Sequence, residues 1–255
     1  MPVIRSDLPA LVLDSLNYGE SDKIVVFYCQ EVGRLSALAR GAHRSQKRFV
    51  NKLELFTFLQ ISYSKSSAGS LFMLDEAELV NSFITLRTDV ASYQVASIIR
   101  EYMLLTSREN SDDDQLFQLA LWALHTLNIG IDQRQVLALF MIKFFDVLGY
   151  RPDFSVCQGC GTNPAEDKAV FFNVQSGTIT CRNCSGSQGS GGRLLAPGTT
   201  KMIMAVQQQP VSRLSRFKPS GAVLEQMLDC SHRYSLNLFQ RDIHSWRALK
   251  DKSSR

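Results

Sequence analysis

The sequence has little that would carry the chain into or across a membrane. No apolar run approaches the roughly 20 residues that a membrane-spanning helix needs. Near the N-terminus, Arg5, Asp7, Pro9 and Asp14 interrupt the apolar residues, which is unlike the continuous apolar core of a secretory signal peptide. We therefore expect a cytosolic protein, and the hydrophobic fraction of 45% and charged fraction of 20% are ordinary for a globular one.

The motifs of several common enzyme classes are also absent. The sequence contains neither the G-x-x-x-x-G-K-[ST] loop of ATPases nor a dinucleotide-binding glycine fingerprint. It also lacks H-E-x-x-H and G-x-S-x-G, and its 4 histidines are scattered. Because no catalytic constellation is visible, we expect a protein that binds rather than an enzyme.

The apolar pattern of the first third is typical of short β-strands. Five such segments, separated by turns, are predicted as strands: 11–16, 24–29, 35–39, 53–63 and 71–79. Five strands in about 75 residues suit an OB-fold, a small barrel that often binds single strands. Periodicity alone leaves an SH3-like barrel open.

After about residue 82 the spacing of apolar residues becomes helical. Helices are predicted over 90–103, 116–127, 133–148, 197–206 and 221–249, with Asp132 as a cap and 185–192 as a flexible connector. The fold class is therefore an α+β multidomain chain. We expect a barrel domain at 1–81, an α-helical domain at 82–150 and 197–250, and an insertion at 151–196.

Four of the 6 cysteines have the spacing of a metal site: Cys157, Cys160, Cys181 and Cys184. Two C-x-x-C knuckles can place four thiolates around one ion, so one structural Zn²⁺ is expected. Four thiolates leave no open position for a catalytic water. Disulfides, redox chemistry and an iron–sulfur cluster remain less favoured alternatives. Cys29 and Cys230 lie in apolar patterns and are expected to be buried, inert thiols.

Acidic residues are missing from one stretch of the barrel segment. Between Glu31 and Glu54 every charged residue is basic, and these are Arg34, Arg40, Arg44, Lys47, Arg48 and Lys52. Such a local field can bind the phosphates of a polyanion, although a merely solvated loop would look the same. Tyr28 and Phe49 are candidates for base stacking, and Tyr28 would fit a barrel core equally well.

The second half of the chain carries a positive charge excess. Residues 151–255 contain 14 basic and 7 acidic side chains. After residue 200 the basic residues are Arg213, Arg216, Lys218, Arg233, Arg241, Arg247 and Lys250. One interpretation is a second face for a polyanion such as DNA; the other, an acidic partner peptide, is motivated also by the resemblance described below.

Residues 11–44, LVLDSLNYGESDKIVVFYCQEVGRLSALARGAHR, resemble the N-terminal motif of the bacterial DNA-repair family RecO. In that family three strands lead to Y-G-E-x-D, to G-(K/R) and to (K/R)-G-A-(R/H)-R, which stand here at 18–22, 33–34 and 40–44. LELFTF at 53–58 is similar to the family's L-x-P-F-T strand, with Leu55 where proline is common. The cysteines stand where many members carry a zinc finger, and residues 234–249 resemble the final helix.

The resemblance implies a function that composition and spacing do not. RecO proteins bind single- and double-stranded DNA, anneal complementary strands and act with RecR. They help to load RecA onto DNA coated by the single-stranded-DNA-binding protein, whose acidic C-terminal tail they contact. The expected location is the cytoplasm, on the bacterial nucleoid. A zinc-ribbon transcription or translation factor is the alternative, and a zinc-dependent enzyme is disfavoured by the all-thiolate pattern.

Overall fold

The computed structural model describes residues 3–45, 47–65, 71–109, 114–163, 168–185 and 192–251. The chain divides into two compact units, Met1–Asn128 with Ser245–Arg255, and Ile129–His244. The first unit contains the barrel and the helices that follow it, and the second contains the four cysteines. The three-domain boundaries expected from the sequence stay a prediction, and most of the predicted connector at 185–192 lies outside the described residues.

The N-terminal strands close into a barrel. Its strands are β1 (Val3–Tyr18), β2 (Asp22–Cys29), β3 (Gly33–Ala39), β4 (Phe58–Lys65) and β5 (Phe72–Asn81). The order around the barrel is β1-β2-β3-β5-β4, with β3 and β5 parallel and the other neighbours antiparallel. The predicted OB-fold is confirmed.

The barrel core follows from the alternation of side chains along the strands. In β3, every second residue from Gly33 to Ala39 is buried and the others are half-buried. Val25 and Phe27 of β2 fill the same interior. The opposite face of each strand is therefore the outer surface of the barrel.

The fourth strand was predicted from residue 53, which is wrong for its first five residues. Residues 53–57 form a turn, in which Phe56 has a φ of 68°. The backbone N–H of Phe56 donates to the carbonyl of Val12 at 3.0 Å. Leu53 and Phe56 are buried, so their apolar character reflects burial by the turn rather than strand pairing.

Three helices follow the barrel in the same unit: α1 (Thr85–Thr88), α2 (Val90–Thr106) and α3 (Asp114–Asn128). Asp89 caps α2 by accepting from the N–H of Ser92 at 2.8 Å. The ring of Phe117 on α3 stacks on Tyr28 of β2, with centroids 6.3 Å apart. Arg100 on α2 pairs with Asp14 of β1 at 2.8 Å. These contacts pack the helices against the outer face of the barrel.

The second unit combines helices with a small sheet. Its elements are α4 (Gln133–Val147), β6 (Asp153–Cys157), β7 (Val170–Asn173), β8 (Thr178–Cys181), α5 (Arg182–Ser185), β9 (Arg193–Leu195), α6 (Pro197–Gln207), a 3₁₀ segment (Val211–Arg216) and α7 (Gly221–Phe239). The sheet has the order β6-β8-β7-β9. As expected, Asp132 caps α4 by accepting from the N–H of Gln135 at 2.9 Å.

The single helix predicted over 221–249 is wrong, because the chain breaks it in two. α7 ends at Phe239, Gln240 takes a left-handed conformation with a φ of 50°, and α8 spans His244–Asp251. A left-handed residue is a common helix end, although glycine is usual there. Trp246 of α8 contacts Tyr102 of α2 edge to face at 6.1 Å. Within the described parts of the chain, no helix has the length and apolarity to cross a bilayer.

Candidate metal centre and nucleic-acid interface

The four cysteines predicted as metal ligands come together in the second unit. The Sγ atoms of Cys157, Cys160, Cys181 and Cys184 all lie within 4.8 Å of one another. Zn–S bonds of about 2.3 Å in a tetrahedron would place sulfurs about 3.8 Å apart. The cluster therefore has the size of a four-thiolate metal site.

Local backbone structure aims each knuckle at the cluster. The first knuckle leaves the end of β6, and the N–H of Gly161 donates to the carbonyl of Cys157 at 2.8 Å to close its turn. The second knuckle joins the end of β8 to α5. A Cβ on Gly159 would stand 2.8 Å from the Cβ of Cys184, so only glycine lets the knuckles approach this closely.

Hydrogen bonds favour thiolates in the first knuckle. Burial opposes the Cys157 thiolate, but N–H groups of Cys181, Cys160 and Gly159 outweigh it and lower the pKa of this thiol to about 6. The N–H of Cys181 lies 3.2 Å from its Sγ. Hydrogen bonds with Thr162, through its hydroxyl and backbone, lower the pKa of Cys160.

Cys184, the fourth cysteine of the cluster, differs from the first knuckle because its pKa is raised. Hydrogen bonds with the sulfurs of Cys181 and Cys160 favour the neutral thiol of Cys184 and raise its pKa to about 12. A bound dication would displace this proton and bind Cys184 as a thiolate. The donor set and its geometry thus fit a metal ion.

Aromatic packing holds the sheet that carries the cysteines. Tyr234 of α7 donates to the carbonyl of Tyr150 at 3.0 Å, and its ring meets Phe172 of β7 edge to face. Phe154 of β6 stacks on Phe172 at 5.3 Å. The β7–β8 turn at Gly177 passes so close to Tyr234 that a Cβ there would lie 2.9 Å from its hydroxyl.

The other candidate site is the loop between β3 and β4. We call residues 40–45 and 47–52 the basic loop. Arg40, Arg44 and Lys47 are exposed on it. Arg48 is also exposed but donates to the carbonyl of Arg40 at 2.9 Å, and the half-buried Lys52 donates to the carbonyl of Ala77 on β5 at 2.7 Å. Two of its cations thus fix the loop while three face solvent.

Hydrogen bonds to the β1–β2 turn hold the basic loop in place. The carboxylate of Asp22 accepts from the N–H of Gly41 at 2.8 Å, and the carbonyl of Ser21 accepts from the N–H of His43 at 2.9 Å. The Gly41 bond, helped by the Ser21 hydroxyl, lowers the pKa of Asp22. The weak Arg44–Glu20 ion pair, at 4.0 Å between exposed side chains, leaves Arg44 available.

Arg34, the sixth predicted DNA-binding residue, lies apart from the others. It is the second residue of β3, opposite Tyr28, and its N–H donates to the carbonyl of Arg108, two residues after the end of α2. Six residues of strand put it about 20 Å from Arg40. The structure thus brings five of the six predicted residues onto one loop.

The two predicted stacking residues are buried. Tyr28 is 1% exposed, but it lies on the outer face of the barrel beneath Phe117 of α3, so both the stacking hypothesis and the barrel-core alternative are wrong for it. Phe49 is 3% exposed and lies beneath the guanidinium of Arg48 at 4.4 Å, so the stacking hypothesis for it is wrong. The exposed aromatic beside the basic loop is Tyr18, at the end of β1. The sequence patterns did not identify Tyr18, and its position just before the turn at 19–21 is the signal that could have done so.

The basic residues after position 200 do not form one set. Arg213, Arg216 and Lys218 are exposed in and after the 3₁₀ segment. Arg233 pairs with Asp229 at 2.8 Å, which also binds Arg193 at 2.6 Å. Arg247 and Lys250 lie on α8, in the other unit.

Comparison with known proteins gives matches along nearly the whole chain. The family model described as "Recombination protein O N terminal" matches residues 3–83, and "Recombination protein O C terminal" matches residues 87–247. The "DNA repair protein RecO" of Desulfatibacillum aliphaticivorans is 30% identical over 98% of both chains. That of Syntrophus aciditrophicus (strain SB) is 27% identical over 94% of this chain and 93% of its own.

Proposed function

Because the chain belongs to the recombination protein O family of DNA-repair proteins, we propose that it binds single- and double-stranded DNA and anneals complementary strands. The observation that carries the proposal is the basic loop, where Arg40, Arg44 and Lys47 are exposed on a braced support. The proposed DNA-binding surface is extended by Arg34 on β3 and supported by the two residues that fix the loop, Arg48 and Lys52.

The loop suits contact with phosphates rather than recognition of base sequence. Long, exposed cations bind phosphate oxygens and release counterions whatever the sequence. Neutralising two strands at once lowers the repulsion that opposes pairing. Annealing of this kind requires no nucleotide hydrolysis, so we propose that the protein acts in repair without an enzymatic step.

An annealing assay with complementary oligonucleotides and no ATP tests the proposal. We expect the wild-type protein to accelerate pairing, and the variant Arg40→Ala/Arg44→Ala/Lys47→Ala, the loop variant, to lose most of this effect. The matched control is Arg213→Ala/Arg216→Ala/Lys218→Ala, which removes the same charge from the other unit. A zinc-ribbon transcription factor would instead bind one sequence and leave annealing unchanged.

The four-cysteine cluster is proposed to hold one structural Zn²⁺. Cys157, Cys160, Cys181 and Cys184 would supply all four ligands and leave no open position for a substrate. Its role would be to hold β6 and β8 together in a sheet that buries few apolar residues. Metal analysis of the purified protein, with Cys157→Ser as the control, tests the identity of the ion.

We also propose protein partners from the family. The protein would act with RecR, and would help to load RecA onto DNA coated by the single-stranded-DNA-binding protein. The acidic tail of that coating protein would bind near the exposed Arg213, Arg216 and Lys218. The cytoplasm, on the bacterial nucleoid, is the proposed location.

Titration of a tail peptide decides between this surface and a second DNA-binding face. If the tail binds there, the Arg213→Ala/Arg216→Ala/Lys218→Ala variant loses peptide affinity and keeps its affinity for DNA. Loss of DNA affinity with peptide binding intact would assign the surface to DNA.

A further inference from the structure

The outer face of the barrel carries a row of apolar side chains that crosses four strands. In the register of the sheet, Leu16 pairs with Ile24, Ile24 with Leu38, and Leu38 with Met73. Paired residues share a face, and the neighbouring Val25 and Ala37 point into the core. Leu16 is 56% exposed and the other three are half-buried.

The helices cover a different part of this outer face. Tyr28 is on the same face of β2 as Ile24, four residues further along the strand, and lies under Phe117 of α3. At the opposite end of β2, Tyr18 follows Leu16 on the same face of β1 and is 54% exposed. No ring among the described residues packs on Tyr18, so its face is open to a flat partner.

We propose that Tyr18 stacks on an unpaired base of a single DNA strand, with Leu16 and the apolar row as the floor beneath neighbouring bases. The inference rests on the DNA binding proposed above and adds which form of DNA the barrel distinguishes. Tyr18 pairs with Asp22, and Asp22 accepts from the N–H of Gly41, so the ring stands beside the basic loop.

This placement separates two kinds of contact. Arg40 and Arg44 meet phosphates, which single strands and duplexes both present. A tyrosine face can stack only on a base that is not already stacked within a duplex. The ring therefore favours the single strand, whereas the loop binds both forms.

The first test compares affinities for oligo-dT and for a duplex of equal length. Tyr18→Ala is expected to weaken binding of the single strand by about 5-fold to 150-fold, which is the range for loss of one stacked base. Duplex affinity stays within about twofold, and Tyr18→Phe keeps the wild-type preference. Tyr150→Ala, which removes a similarly exposed tyrosine from the other unit, is the matched control.

The second test uses the unaltered protein, so that it does not depend on the folding of a variant. Oligo-dT carrying 5-iodouracil, irradiated in the complex, should form its crosslink at Tyr18, as located by mass spectrometry. Crosslinks confined to other residues, or an equal loss of single-strand and duplex affinity in Tyr18→Ala, would overturn the stacking role.

The same variants distinguish failure of DNA binding by the basic loop from failure of base stacking by Tyr18. If the loop variant binds both forms of DNA as tightly as wild type, DNA binding by the barrel is wrong. If the loop variant weakens both forms while Tyr18→Ala changes neither, DNA binding stands and the stacking inference alone is wrong.

Discussion

At the scale of single residues, Gly159 decides whether the two cysteine knuckles can meet. Replacing it with alanine would place a Cβ 2.8 Å from the Cβ of Cys184 and 3.0 Å from its Sγ. Since the chain has to shift to relieve this contact, we expect Gly159→Ala to lower zinc affinity by about 10-fold or more. Competition with a zinc-binding dye measures the change.

The control for that substitution lies in the second knuckle. Asn183 is exposed between two ligands, and Asn183→Ala should keep wild-type zinc affinity. Equal affinities for wild type and Gly159→Ala would show that the close approach of Gly159 to Cys184 is unnecessary.

Asp22 gives the barrel a pH-dependent contribution to its stability. The Gly41 N–H and the Ser21 hydroxyl hold the pKa of Asp22 below its usual value of about 3.9. The stabilisation is therefore present above that value and is lost as pH falls through the lower pKa of the folded state. Asp22→Ala should be less stable than wild type at neutral pH, and the difference should shrink in acid.

Urea unfolding at a series of pH values measures this difference. Glu78→Ala, which removes an exposed carboxylate from β5, serves as the control and should show no such trend. A stability gap between wild type and Asp22→Ala that persists or widens in acid would contradict the role of the carboxylate.

Single residues also show where sequence interpretation succeeds. The spacing of Cys157, Cys160, Cys181 and Cys184 identified the cluster, because two short turns constrain four side chains locally. The burial of Phe49 and the exposure of Tyr18 could not be read in the same way. Both depend on which face of the barrel a neighbouring segment covers, and that is set by long-range packing.

At the scale of elements, the sheet β6–β9 should depend on its metal. Structural zinc in small fingers contributes about 10–16 kcal/mol at neutral pH, far more than a short four-stranded sheet gains from its own core. Removing zinc with a chelator should therefore expose the backbone amides of 153–157 and 178–181 to hydrogen exchange. The amides of β1–β5 should stay protected.

A cysteine outside the cluster separates loss of metal from loss of a thiol. Cys157→Ser should reproduce the chelated state, whereas Cys230→Ala, in a buried position on α7, should keep both zinc and protection. Protected β6 and β8 amides in metal-free protein would refute the structural role.

The elements themselves were largely readable, with errors at particular places. A run of mostly β-branched and aromatic residues predicted β2, alternation predicted β3, and helical spacing with an aspartate cap predicted α4. Residues 53–57 were misread because burial in a turn gives the same apolar composition as a strand. The break at Gln240 was not predicted, because the residue at a left-handed helix end is usually glycine.

At the scale of the whole molecule, the formal net charge of +4 hides an uneven distribution. In the first unit, which contains the barrel, acidic and basic residues are equal in number, yet no acidic residue lies in the basic loop. Local field rather than total charge therefore governs how a polyanion approaches. Two variants with the same net charge should consequently differ in how salt affects their binding of DNA.

The logarithm of DNA affinity falls linearly with the logarithm of salt concentration, with a slope of about −0.7 per phosphate contact on a single strand. If Arg40, Arg44 and Lys47 each contact a phosphate, the loop variant should bind oligo-dT with a slope shallower by about 2. Fluorescence anisotropy at several salt concentrations gives the slopes for both proteins. The Arg213→Ala/Arg216→Ala/Lys218→Ala variant should retain the wild-type slope, because its cations are assigned to a peptide. Should both triple variants lose the same slope, binding would follow net charge, and the basic loop would have no special role.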